Sequence, residues 1–180
     1  MTIYIALLRG INVSGHNMIK MSELKSMFQA LGFGRVQTYI NSGNVLFESE
    51  EGAETLQLRI ENEIKLVFGL SISVILRTDK ELERIIERCP FAPGSLTEGE
   101  SIHLTLLKEA PSQEEIDRLP DVNYENDEYY MEDREIYILY RKSLLDSKLP
   151  KKFQKLVPQT ARNWKTIIKL GTMVEAMKAH

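Results

Sequence analysis

The pattern of hydrophobic and polar positions in the first half of the chain predicts four strands and two helices. The opening run, residues 3–8, is almost entirely apolar, as in a strand covered on both faces. Strands are predicted at residues 3–8, 36–40, 45–47 and 72–76, and helices at residues 22–31 and 56–68. Each helical segment repeats apolar residues along one face and is followed by a glycine, which commonly ends a helix. The order β-α-β-β-α-β is that of the ferredoxin-like fold.

The second half of the chain predicts a related but incomplete set of elements. A linking helix begins at the capping box of Thr78 and Glu81 and ends before Pro90, and Ser112 with Glu115 opens another short helix. Strands are predicted at residues 102–106, 129–131 and 136–140, and basic helices at residues 150–156 and 161–178. We therefore predict an α+β protein of two parts. Residues 1–90 form a ferredoxin-like βαββαβ unit with its linking helix, and residues 91–180 form a second, related but incomplete α+β unit with two C-terminal basic helices.

The composition is that of an ordinary globular protein. Of 180 residues, 43% are hydrophobic and 27% are charged, so the chain can bury enough surface to fold without a metal ion or a disulfide. The single cysteine, Cys89, favours a reducing compartment. The sequence has no signal-peptide pattern and no apolar run of about 20 residues. We predict a cytoplasmic protein with no membrane partner.

Charge is unevenly distributed along the chain. The net charge is −3, but the last forty residues hold ten basic side chains and two acidic ones, leaving −11 on the first 140. Two interpretations stay open. The basic region, in which we single out Lys151, Lys152 and Lys155, binds a polyanion, or it balances the acidic stretch between residues 121 and 133.

The predicted topology brings two polar segments together. In a βαββαβ sheet the first and second strands are parallel, so the loop after the first and the hairpin after the second emerge at one end. The loop and hairpin contribute Arg9, Asn12, Ser14, His16, Asn17, Lys20, Asn41, Ser42 and Asn44. Such a mixture of cations and amides suits a phosphate or carboxylate. The alternative is that the asparagines and Ser42 bond the turn backbone, while Arg9 and Lys20 are solvated.

A third polar segment lies near the C-terminus. Thr160 is predicted to cap the last helix, which would place Arg162 and Asn163 at its positive end, where anions are attracted. On the most economical interpretation, the helix start near residue 162 faces the same pocket as the loop and the hairpin.

Established catalytic and metal-binding patterns are absent from the sequence. The segment 10–17 has the glycine spacing of a P-loop, but His16 and Asn17 stand where Lys and Ser or Thr would contact phosphate and Mg²⁺. The three histidines have no metal-ligand spacing, and one cysteine cannot form a cysteine-based zinc site. We predict no metal and no cofactor.

Three segments resemble the hallmark motifs of a known family. Residues 6–13 (ALLRGINV), 39–45 (YINSGNV) and 160–166 (TARNWKT) are similar, in order, to motifs of domain-of-unknown-function family 1697. This sequence has Ser14 where a second glycine is common, and Asn rather than Gln before Ser42. The resemblance implies no activity, substrate or cofactor. It does place the family's motifs on the loop, the hairpin and the predicted cap of the last helix.

Three classes of function therefore stay open. The first is a binding module for an anionic ligand (a nucleotide, a phosphorylated metabolite or a nucleic acid), for which aromatic side chains could stack on bases. The candidate stacking groups are Tyr137, Tyr140, Phe153 and Trp164. The second is a protein–protein interaction or assembly module. The third is an enzyme acting on a small anionic substrate, with His16 as acid–base and Arg9 and Arg162 as clamps.

Overall fold

The computed structural model describes residues 1–180, and its first sheet has the predicted ferredoxin-like topology. The elements in chain order are β1 (Thr2–Leu8), α1 (Met21–Ala30), β2 (Gly34–Tyr39), β3 (Asn44–Ser49), α2 (Ala53–Phe68) and β4 (Val74–Thr78). The four strands are antiparallel neighbours in the order β2-β3-β1-β4. The predicted fold class is therefore confirmed.

The core of this sheet lies on the face that carries alternate residues of β1. Tyr4, Ala6 and Leu8 join the buried apolar residues of α1 and α2 in one cluster. Within it the ring of Phe47 stacks on Phe33 with a centroid separation of 4.7 Å. The period-2 pattern of the strand and the 3.6-residue pattern of the helices thus meet in one hydrophobic layer.

The second half of the chain forms a five-stranded antiparallel sheet. After α3 (Asp79–Glu87), the elements are β5 (Ser101–Leu107), α4 (Gln113–Asp117), β6 (Asn123–Tyr124), β7 (Asp127–Glu132), β8 (Glu135–Tyr140), α5 (Leu149–Phe153), β9 (Gln159–Asn163) and α6 (Trp164–Lys178). The strand order is β6-β7-β8-β5-β9. Both predicted capping boxes are present, at Thr78 with Glu81 and at Ser112 with Glu115.

The two sheets have the same strand order, and their last strands pair in the same register. The order β7-β8-β5-β9 repeats β2-β3-β1-β4, with β6 added at the edge. The fourth residue of β1, Ile5, is paired with Arg77, the fourth residue of β4. The fourth residue of β5, Leu104, is likewise paired with Arg162, the fourth residue of β9. The relation between the halves is therefore closer than the sequence pattern indicated.

The last helix begins later than the sequence predicted. Residues 159–163 form β9, which pairs with β5, and α6 starts at Trp164 rather than near residue 161. Thr160 is opposite Leu106 in this pairing and is therefore a strand residue, not a helix cap. Tertiary pairing outweighs the local capping preference of threonine here.

The chain divides into two compact units, Met1–Glu83 with Leu170–His180, and Arg84–Lys169. This division differs from the predicted break at residue 90. Specific contacts explain the difference: the Arg35 guanidinium donates to the Met177 carbonyl over 2.7 Å, and Lys178 pairs with Asp79 and Glu83. In the second unit, the Tyr137 hydroxyl donates to the Ile85 carbonyl over 2.6 Å. No helix in the structure has both the length and the apolar character needed to cross a bilayer.

Candidate functional site

The loop after β1 and the hairpin after β2 lie side by side, as the topology predicted. The Leu8 amide donates to the Gly43 carbonyl over 2.9 Å, which continues the sheet into the hairpin. The Asn12 side chain then donates to the Asn41 carbonyl over 2.8 Å. Loop and hairpin therefore form one connected surface at this edge of the first unit.

Asparagine side chains hold the backbone of this surface. Asn12, which has a φ of +53°, accepts from the Ile19 amide over 2.8 Å and donates to the Ile19 carbonyl over 3.0 Å. Asn17 donates to the Gly10 carbonyl over 3.0 Å. Such bonds are the usual way in which Asn stabilises turns. These two predicted polar residues thus have structural partners.

The hairpin is fixed in the same manner. Asn44 is fully buried, and its side-chain amide donates to the Tyr39 carbonyl and to the Ser42 hydroxyl, both over 2.9 Å. Gly43 has a φ of +88°, and a Cβ at this position would lie 2.7 Å from Cδ1 of Ile11. The close approach of Ile11 and the positive φ both require glycine here.

Both polar and apolar side chains are exposed at this surface. Arg9, His16, Lys20 and Asn41 are all exposed. Three apolar side chains are also exposed: Val13 by 56%, Met18 by 64% and Ile40 by 48%. Of the nine polar residues predicted on the loop and hairpin, six are exposed, whereas Asn12, Ser42 and Asn44 are partly or fully buried and bond within the loop and hairpin.

The predicted residues Arg162 and Asn163 lie in the second unit. Arg162 is only 6% exposed, and its Nη1 donates to the Thr160 hydroxyl over 2.6 Å and to the Ala161 carbonyl over 2.9 Å. Burial lowers the pKa of the Arg162 guanidinium to about 10. Asn163 caps α6, because its Oδ1 accepts from the Lys165 amide over 2.8 Å. A site shared with the loop and hairpin stays a prediction.

Arg77 is the counterpart of Arg162 in the first unit. It is 1% exposed, and its Nη1 donates to the carbonyl of the preceding Leu76 over 2.8 Å. Arg162 makes the same bond to its own preceding residue. Arg77 was not among the residues predicted for the site. The signal that it shares with Arg162 is its position one residue before a helix cap, Thr78 in one case and Asn163 in the other.

The aromatic residues proposed for stacking are buried, which corrects that expectation. Tyr137, Tyr140, Phe153 and Trp164 are between 1% and 6% exposed. Phe153 packs on Tyr129, and burial raises the pKa of both Tyr137 and Tyr140. The Trp164 indole nitrogen is buried without a hydrogen-bond partner. These rings serve packing and cannot reach a nucleic acid base in this conformation.

A basic cavity lies between α4 and the α5 region of the second unit. Its volume is about 600 Å³, and it is lined by Glu115, Arg118, Leu119, Lys148, Lys151, Lys152, Lys155 and Leu156. Five cationic side chains therefore surround one carboxylate. The buried residues Leu149 and Phe153 anchor the segment that carries the lysines. Three of the lining residues, Lys151, Lys152 and Lys155, are the lysines singled out from the sequence for polyanion binding, which stays a prediction.

The ionic partners of these cations are few. Lys148 lies 3.8 Å from Glu125, and Arg118 forms an ion pair with Glu114. Lys152 lies 5.9 Å from the ring centroid of Tyr124. The Glu115 carboxylate accepts from the amide and hydroxyl of Ser112 in its capping box.

Lys151, Lys152 and Lys155 differ from Arg118 and Lys148 in having no carboxylate partner. All three side chains are exposed, and none forms an ion pair. The positive charge of the cavity is therefore only partly neutralised within the molecule.

The spacing of the lysines in the sequence already indicates the basic face of this cavity. The four lysines recur at i, i+3, i+4 and i+7, the spacing of one helix face. Arg118 could not be found in this way, since only the tertiary structure brings α4 beside that face. No group of three or more His, Cys, Asp or Glu side chains is arranged to hold a metal ion.

Comparisons with known proteins agree with the fold and the motifs. The chain is similar to the solved structure of the conserved bacterial protein SP0830 from Streptococcus pneumoniae, with a TM-score of 0.76 and 27% sequence identity over 96% of this chain and 98% of the other. A comparison with curated proteins gives no match. The family model described as "Protein of unknown function (DUF1697)" matches residues 1–137. The three motifs, the fold and this match lead to one conclusion: the chain belongs to the DUF1697 family.

Proposed function

We propose that the protein is a binding module for an anionic ligand and that the ligand occupies the basic cavity between α4 and α5. The observation that carries this proposal is the composition of the lining: five cationic side chains and one carboxylate around about 600 Å³. Lysine ammonium groups without a carboxylate partner are suited to phosphate oxygens, because each pair adds a charge-assisted hydrogen bond.

The competing interpretation is that the basic region balances the acidic stretch 121–133. Two contacts support that view, Lys148 with Glu125 at 3.8 Å and Arg141 with Glu128 at 3.0 Å. Neither involves Lys151, Lys152 or Lys155. Exposed ion pairs of this kind contribute little stability, so charge balance alone does not account for the concentration of lysines at the cavity.

Titrations of inorganic tripolyphosphate and of a 20-nucleotide single-stranded RNA at two salt concentrations test the proposal. Replacing Lys151, Lys152 and Lys155 with Gln should weaken tripolyphosphate binding about tenfold or more. If the RNA contacts all three lysines, the logarithmic salt slope should flatten by about 2. The matched control replaces Lys142, Lys165 and Lys169, which are also exposed, with Gln. It should leave the tripolyphosphate affinity and the salt slope of RNA binding unchanged. If neither tripolyphosphate nor the RNA binds at low salt, the proposal is refuted.

The surface formed by the loop after β1 and the hairpin after β2 is a second candidate site for an anion. It is favoured by the exposure of Arg9, His16 and Lys20 on a loop that Asn12 holds in place. An Arg9→Gln, Lys20→Gln variant separates the two surfaces: it should leave tripolyphosphate binding unchanged if the cavity is the site. The buried Arg162 and the helix-capping Asn163 would join this surface only in the shared-site arrangement.

Two other classes of function have narrower support. The exposed apolar side chains Val13, Met18 and Ile40 at that edge favour an interaction module that contacts another protein. An enzymatic role would rest on His16 as acid–base. We also propose a cytoplasmic location, which the single cysteine supports, because a chain with one free cysteine has no internal disulfide.

A further inference from the structure

The dimensions and walls of the basic cavity narrow the class of its ligand. We infer, on the basis of the proposed function, that the ligand is a nucleotide with a polyphosphate chain rather than a nucleic acid strand or an inorganic anion. A volume of about 600 Å³ falls in the usual range for small-molecule sites, roughly 300–1,000 Å³. A phosphate ion alone would leave most of this space to water.

The charge of the lining suits a polyphosphate. Five cationic side chains and the Glu115 carboxylate give the lining itself a net charge of +4, and the flanking Glu114 and Glu125, which pair with Arg118 and Lys148, lower the net charge of the surroundings to +2. A nucleoside triphosphate carries about four negative charges near neutral pH, since a terminal phosphate contributes close to two and each bridging phosphate one.

Carboxylates beside two of the lining cations disfavour a long strand. Arg118 is paired with Glu114, and Lys148 lies 3.8 Å from Glu125. An RNA that continued beyond the cavity would bring its phosphates close to these acidic groups. Like charges at such distances repel, so the polyanion that fits is one that ends within the cavity.

Apolar side chains supply a surface for the base. Leu119 and Leu156 line the cavity, and both pack against the hydrophobic cluster of the second unit together with Tyr124. Leu119 and Leu156 therefore present fixed apolar surface beside the lysines. A flat heterocycle would bury this surface, whereas a tripolyphosphate would leave it in water.

Calorimetric titrations in EDTA with ATP, tripolyphosphate, adenosine and a 20-nucleotide single-stranded RNA test this inference. We expect ATP to bind at least about fivefold more tightly than tripolyphosphate, although tripolyphosphate carries at least as much negative charge, and adenosine to bind too weakly to measure. The RNA should bind less tightly than ATP. Equal affinities for ATP and tripolyphosphate, or tighter binding of the RNA, would overturn the nucleotide inference and leave the proposed function standing. If none of the anions binds, both fail.

A Leu156→Ala variant examines the wall for the base directly. It should remove most of the advantage of ATP over tripolyphosphate without changing the tripolyphosphate affinity, and Leu156→Met, which retains apolar volume, should preserve the advantage. Thermal unfolding checks that both variants are folded. An unchanged ATP advantage in a folded Leu156→Ala protein would contradict the placement of the base. The comparison of ATP with tripolyphosphate on the unmodified protein stands even if this variant does not fold.

Discussion

Half-burial of a titratable side chain makes His103 a residue whose charge state affects stability. Its imidazole packs edge-on against the Tyr140 ring, with 5.3 Å between centroids, and burial lowers its pKa in the folded protein. The unfolded chain, with a histidine pKa of about 6.5, therefore takes up the proton more readily. Above the pKa of the unfolded chain, His103 is neutral in both states and its contribution to the free energy of unfolding is fully present. As the pH falls through that unfolded-state pKa, this contribution declines.

A His103→Phe variant tests this effect. The replacement keeps an aromatic ring beside Tyr140 but cannot be protonated. We expect the free energy of unfolding of the unmodified protein to fall between about pH 7 and pH 5, and the variant to lose less over the same interval. Urea unfolding at several pH values provides the measurement. Because His16 and His180 are present in both proteins, identical pH profiles would show that His103 is not responsible.

Single residues were also where sequence reasoning failed most clearly. Arg162 was expected near the N-terminus of the last helix, yet it lies in β9, is 6% exposed and bonds to Thr160 and Ala161. The alternation of buried Thr160 and Arg162 with exposed Ala161 and Asn163 is a strand pattern. A four-residue alternation that contains a buried arginine cannot be recognised without the β5 strand that pairs with it.

At the scale of elements, Asn12 connects the loop after β1 to the hairpin after β2. It makes one hydrogen bond across to the hairpin and two within the loop. An Asn12→Ala variant should lower the free energy of unfolding by about 2–4 kcal/mol, because a net value of about 1 kcal/mol per bond is lost and a positive φ is left to alanine. Chemical denaturation measures the loss.

Asn17→Ala provides the matched control for that measurement. Asn17 also has a positive φ, of +51°, but its side chain makes a single bond, to the Gly10 carbonyl. We expect a loss about half as large as that of Asn12→Ala or smaller. Equal losses in the two variants would mean that the contact with the hairpin adds nothing to stability.

The elements of the first unit could be predicted because each has a local signal. Continuous or alternating apolar runs identify β1 to β4, and helical periodicity followed by Gly32 or Gly69 identifies α1 and α2. From these elements the meeting of loop and hairpin followed by topology alone. The lining of the cavity could be predicted only in part. Arg118 comes directly after the short, polar helix α4, whose position depends on packing against the second sheet.

At the scale of the whole molecule, the division into two units predicts where a destabilising change is felt. Met177, 2% exposed, belongs to the first unit although it lies near the C-terminus, and Leu149, fully buried, belongs to the second. Either residue replaced by alanine should cost about 2–5 kcal/mol. Hydrogen exchange should then accelerate mainly in β1–β4 for Met177→Ala and mainly in β5, β7 and β8 for Leu149→Ala.

The pair of variants serves as its own control, since each removes a buried apolar side chain from a different unit. Faster exchange spread evenly over both sheets in both variants would show that the chain unfolds as one cooperative body. The sequence alone could not make this prediction. Its composition shifts near Pro90, whereas the contacts of α3 and α6 that set the division join residues far apart in the chain.

The first unit consists of two segments that lie far apart in the chain, and this affects the order in which translation completes the two units. Its first part is complete at Glu83, but its last part, Leu170–His180, is translated only after the whole of residues 84–169. At typical elongation rates of about 5–20 residues per second, the ribosome needs roughly 4–17 s for that intervening stretch. During this interval the first sheet must wait without its final helical segment, while all strands of the second sheet are being supplied. The unit that starts first is therefore the one that finishes last.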